Sequence, residues 1–164
     1  MISSRPLSFI LTVAAIALMG ERPNAQTLAP DKACLVKPGQ MDSCVPIVAC
    51  LIGEDVYFVG QALGWNSGTF AGRTNAGFSC YGTWTARNIA NVGQAELECD
   101  NGRTGGALFV SQDNMTGTAT GHGTMSNGTG LQMWSGRNIQ QFIINQTGNV
   151  NARLMCGEVE IPLG

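Results

Sequence analysis

Charge is scarce in this chain. Asp, Glu, Lys and Arg make up 12% of its 164 residues, and the formal net charge is -2. Nucleic-acid binding rests on clustered Lys and Arg that neutralise phosphates, and no such footprint is present. Histidine is scarcer still, His122 being the only one. A hydrolase of the serine or cysteine type needs a base within reach of a nucleophile and oriented by an acid. Gly-x-Ser-x-Gly is absent, and the strand register argued below gives His122 no carboxylate neighbour. The stretch MTGTATGHGTMSNGTG at 115–130 matches neither Gly-x-Gly-x-x-Gly nor a Walker loop, and no helix follows it to supply the positive end that holds phosphate. Glu96 and Glu98 share one strand face, but beside Gln94 and Asp100 they read as a solvated edge rather than a catalytic carboxylate pair. His122 beside Met133, with Met115 and Met155 elsewhere, has the ligand types that suit cuprous copper; methionine as packing filler accounts for the same residues. Neither an enzyme nor a cofactor is expected.

Long apolar runs are absent except at the start. MISSRPLSFILTVAAIALMGERPNAQT places Arg5 and the amino terminus before an apolar run from Leu7 to Met19, the layout of a secretory signal peptide. That run is too short to cross a bilayer as a helix, which takes about 20 residues. Residues 1–25 are therefore expected to be removed after Ala25, or after Ala29 as the fallback, leaving no membrane span. Without Arg5, Glu21 and Arg22, seven basic and ten acidic residues remain. Tight Cys-x2-4-Cys spacing is absent too, which argues against a zinc site. All six cysteines, Cys34, Cys44, Cys50, Cys80, Cys99 and Cys156, lie beyond the export signal. An even count in an exported chain implies disulfides and a periplasmic or extracellular location.

No stretch beyond the export signal carries an apolar stripe of helical period. Turn signals instead recur at the spacing of an all-β sandwich or barrel. Asn101-Gly102 and Asn127-Gly128 are the strongest, because a two-residue hairpin loop needs positive φ at both centres and Asn-Gly supplies it. A two-residue turn at Asn101-Gly102 joins Gly93 to Asp100 with Arg103 to Gln112, setting Leu97 opposite Gly106 and Ala95 opposite Leu108. Ala95, Leu97 and Cys99 then face the core. In the preceding strand, Phe78 to Ala86, the residues Phe78, Cys80, Gly82 and Trp84 share a face, so Cys80 lies opposite Cys99 and a disulfide is expected between them. Cys156 must then bond Cys34, Cys44 or Cys50. With further turns at Asp113-Asn114 and Asn127-Gly128, His122 falls opposite Met133 on the outer face, and the glycines of the 115–130 stretch make room inside for Trp84 and Trp134.

These assignments predict a small up-and-down (meander) barrel of about eight antiparallel strands, braced by disulfides; a sandwich is the second choice. Residues 26–54 read as a Cys-rich N-terminal cap and 55–164 as the barrel. Val56 to Leu63 is a strand, Asn66 to Gly77 a loop, and Phe142 to Gln146 and Val150 to Glu158 are later strands, with a short helix over Ile139 to Ile144 as the alternative. In this register Phe109, His122, Leu131 and Met133 form an outward apolar patch, the mark of a partner surface.

The expected function is an exported, non-enzymatic binding protein acting through a protein partner, or else an assembly subunit of a cell-envelope complex, with a small secreted enzyme third. Cys-Tyr-Gly-Thr-Trp at 80–84 and Trp-Ser-Gly at 134–136 are similar to segments of small periplasmic inhibitor proteins, though each covers only a few residues and defines no family. The likeness implies inhibition of a hydrolase through loops such as Asn66 to Gly77 and Asn88 to Val92.

Overall fold

The computed structural model describes residues 34–86 and 92–163; the expected signal peptide and most of the Asn88 to Val92 loop lie outside them. Eight antiparallel strands form a closed barrel in chain order: β1 (Cys44–Leu51), β2 (Val56–Trp65), β3 (Ser67–Thr74), β4 (Ser79–Thr85), β5 (Gly93–Cys99), β6 (Thr104–Asp113), β7 (Thr118–Met125) and β8 (Gly130–Ser135). β8 returns to β1, with Val48 opposite Trp134, so no edge is left unpaired. A helix, α1 (Ile139–Thr147), and a two-stranded ribbon, β9 (Met155–Cys156) with β10 (Val159–Glu160), follow. The helix is the alternative expected for Ile139 to Ile144, and the strand expected over Val150 to Glu158 shrinks to that ribbon. No helix among the described residues is long and apolar enough to cross a membrane.

Cys80 stands opposite Cys99, and the two are bonded. The other disulfides are Cys34–Cys44 and Cys50–Cys156.

Two boundaries differ from the sequence reading. Cys44–Leu51, assigned to the N-terminal cap, is a barrel strand paired on both sides. Its apolar run is continuous because both faces are buried. Ile47 and Leu51 face the barrel interior. Val48 and Cys50 join Val59, Trp134, Ile139, Leu154, Cys156 and Ile161 in a second core on the outside of the barrel. The C-terminal segment packs there, tied down by Cys50–Cys156. Ser67–Thr74, assigned to a loop, is β3. Its glycines obscured a period-two pattern in which Gly68, Phe70, Gly72 and Thr74 share a face.

The register differs by a single residue at the two Asn-Gly turns. Cys99 N–H donates to the Arg103 carbonyl and Met125 N–H to the Thr129 carbonyl, so the loops hold three residues each. Only the glycines have positive φ, 81° at Gly102 and 88° at Gly128, whereas a two-residue I′ turn would need it at the asparagines as well. The glycine makes a bulge instead. A slip of one residue turns a strand over. Ala95 therefore faces Ala107 rather than Leu108, and Gly121 faces Met133 rather than Trp134.

Candidate functional site

The slip relocates the residues expected on the outside. Phe109 and Leu131 are 9% and 5% exposed and belong to the barrel core, and Met133 packs against that core. His122 alone of the four is exposed, opposite Gln132 and Leu108. The outward patch of Phe109, His122, Leu131 and Met133 is thus not assembled, and His122 and Met133 do not form a ligand pair. Leu108 and Val110, expected inside, are instead 54% and 56% exposed. Trp134, expected in the interior, lies in the outer core near α1. The inhibitory loop expected at Asn66 to Gly77 is mostly β3.

The slip builds an interior instead. Inward-facing glycines give the aromatic rings room to lie back against the barrel wall. A Cβ on Gly60 or Gly72 would stand 2.7 or 2.6 Å from the Phe58 ring, one on Gly82 would stand 2.6 Å from Phe70, and one on Gly93 would run into Phe109. Phe58 and Phe70 meet edge to face with centroids 6.3 Å apart, and Trp84 and Phe109 at 6.5 Å, arrangements favoured by the ring quadrupole. With the rings held at the wall, the barrel axis stays open. A cavity of about 450 Å³ runs along it. An eight-stranded barrel is wide enough either to be filled by side chains or to hold one small molecule.

Among the described residues no Asp, Glu, Lys, Arg, His or Tyr lines this cavity, and its two cysteines, Cys80 and Cys99, are bonded to each other. The polar groups that do face it are partly committed within the protein. Thr74 Oγ1 donates to the Phe78 carbonyl, Ser135 Oγ donates to Gly117, Ser43 Oγ accepts from Lys37 N–H, and the Trp84 indole donates to Leu63. The chamber therefore favours apolar matter and penalises a buried charge.

Its two ends differ. At one end Leu51, Met125 and Leu131 are all 5% exposed or less, and the hairpins are bonded to one another. Arg103 donates through both terminal nitrogens to the Glu54 carboxylate at 2.8 and 2.7 Å, and Thr129 Oγ1 donates to the same group. The bidentate pair joins two hairpins, and the Thr129 hydroxyl adds the third. These bonds, Arg103 first and Thr129 second, pull the Glu54 carboxyl from 4.5 down to about 2. Asn75 ties the β3–β4 hairpin to the β1–β2 hairpin through Asp55 and Tyr57. At the other end Trp65, Asn66, Ser111, Gln112 and Asn114 line a polar rim. Val36 also lines the cavity there, on the segment anchored by Cys34–Cys44.

No protein-family model and no curated protein matches this chain. A solved structure described as a redesigned β-barrel, mFAP0, bound to DFHBI is similar, with 14% identity and a TM-score of 0.47 over 58% of this chain and 97% of that one.

Cys80, Trp84, Ala95, Leu97 and Cys99, on the core face in the sequence reading, do line the chamber, whereas Phe70 was missed because it sits in what reads as a glycine-rich loop. The signal that could have found it is Gly68, Phe70 and Gly72 at period two, small and aromatic residues alternating along one strand face.

Proposed function

We propose that this is an exported binding protein that holds one small, predominantly apolar molecule inside its barrel and acts without catalysis. The carrying observation is the cavity of about 450 Å³, lined among the described residues by mostly aromatic and aliphatic side chains and by no ionisable one, a size and lining in the range of small-molecule sites. Three disulfides support a location in the periplasm or outside the cell, where such bonds persist. The assembly-subunit alternative is not favoured, because three of the four residues of its docking patch belong to or pack against the barrel core.

The test is a titration with N-phenyl-1-naphthylamine, a neutral fluorophore that brightens in apolar surroundings, against wild type and Ala119→Phe. Ala119 is buried and lines the cavity, so the added ring occupies ligand space. Saturable one-to-one binding is expected for wild type, weakened at least tenfold in a variant that keeps the wild-type circular dichroism. Equal binding by both proteins, or none by wild type, overturns the proposal.

A further inference from the structure

We infer that the ligand is a neutral amphiphile that enters tail first and leaves a hydrogen-bond-accepting head at the rim; this rests on the cavity reading above. The polarity of the wall changes along the axis. Around the closed end it is Leu51, Phe58, Met125 and Leu131 with the Cys80–Cys99 disulfide, and the Thr74 hydroxyl there already donates to the Phe78 carbonyl. At the rim, Trp65 is half-buried and lines the cavity. Its indole N–H makes no hydrogen bond among the described residues, in contrast to that of Trp84. An indole nitrogen only donates, so the matching ligand group is an acceptor such as a carbonyl.

The volume limits the tail. At the roughly 30 Å³ that a small molecular unit occupies in a liquid, the chamber of about 450 Å³ takes about fifteen non-hydrogen atoms. Each methylene that enters contributes about 0.8 kcal/mol, close to a fourfold gain in affinity. That gain ends when the closed end is reached, because Leu51, Met125 and Leu131 stop the chain there.

The experiment uses 2-alkanones of eight to sixteen carbons, displacing N-phenyl-1-naphthylamine from the wild-type protein. Affinity should rise about fourfold per carbon and level off at about fourteen carbons. In the bound 2-dodecanone complex, the chain-end methyl should show nuclear Overhauser contacts to the Met125 methyl, and the acetyl methyl should show them to the Trp65 ring. Trp65→Phe should weaken the ketones about fivefold to tenfold more than it weakens the fluorophore, and it should remove the preference for a ketone over an alkane of equal length. Contacts in the reverse sense, or a gain that continues through sixteen carbons, overturn the inference. Failure of the fluorophore itself to bind overturns the cavity reading instead, so the two are told apart.

Discussion

Three connections at the closed end of the barrel share one construction, and the described connections at the mouth share none. Thr74 to Phe78, Cys99 to Arg103 and Met125 to Thr129 are each closed by an N–H of the first residue donating to the carbonyl of the last. Each has a glycine of positive φ just before the last residue, at 77, 102 and 128. Such loops are short and hold register, and Arg103 and Thr129, the last residues of two of them, bond across to Glu54 of the β1–β2 connection. At the mouth, β2 turns into β3 through Asn66 at φ 42°, β6 enters its connection with a register shift between Ser111 and Asp113, and the N-terminal segment crosses under Cys34–Cys44. The regular hairpins and the bidentate Arg103–Glu54 pair lie where the chamber is stopped, and irregular connections lie where a ligand would enter, as expected when a rigid scaffold carries variable loops.

That contrast can be broken by substitution. Replacing Cys80 and Cys99 with alanine should lower stability by about 3 kcal/mol in urea unfolding, from the chain entropy released. Replacing Cys34 and Cys44, which close a shorter loop, should cost less stability and act mainly on probe affinity through Val36. A larger stability loss from the mouth pair would reverse the assignment of the ends. Gly93→Ala should drive the Phe109 ring into the chamber, with a stability loss of about 1–2 kcal/mol from overpacking and about tenfold weaker probe binding, read by titration.

Glu54 sharpens the comparison through pH. Its folded carboxyl titrates near 2, against 4.5 ordinarily. The stability it contributes is fully present above about pH 4.5 and is lost as pH falls toward 2, because the unfolded chain takes up the proton first. Glu54→Gln should therefore cost about 1–2 kcal/mol at pH 7, allowing for solvent screening of the pair. It should also flatten the loss of stability between pH 4.5 and 2; an acid limb identical to wild type would remove the pair from the account. The smallest effect is expected from His122→Ala on the outer wall, under about 0.5 kcal/mol with probe affinity unchanged. A clear loss of binding there would move the site out of the chamber.

Much of the architecture was legible because it is local. Alternation in Phe78 to Ala86 and in Gly93 to Asp100 marks the faces of β4 and β5, and with them the Cys80–Cys99 bond. Turn residues mark where six of the strands end; the count of eight agrees because the runs at Phe142 to Gln146 and Val150 to Glu158, a helix and a ribbon in the fold, stand in for β1 and β3. What the sequence left open is whether Asn-Gly closes a two-residue or a three-residue loop, since the choice turns on the sign of one asparagine φ and both forms suit the dipeptide. Tertiary structure decided it. The three-residue form sends Phe109 and Leu131 inward, and it releases Trp134 to the outer core, with Cys156 and α1. The chamber follows from that choice, because a one-residue slip exchanges every inward side chain for an outward one, and only closure of the whole barrel selects which set is buried.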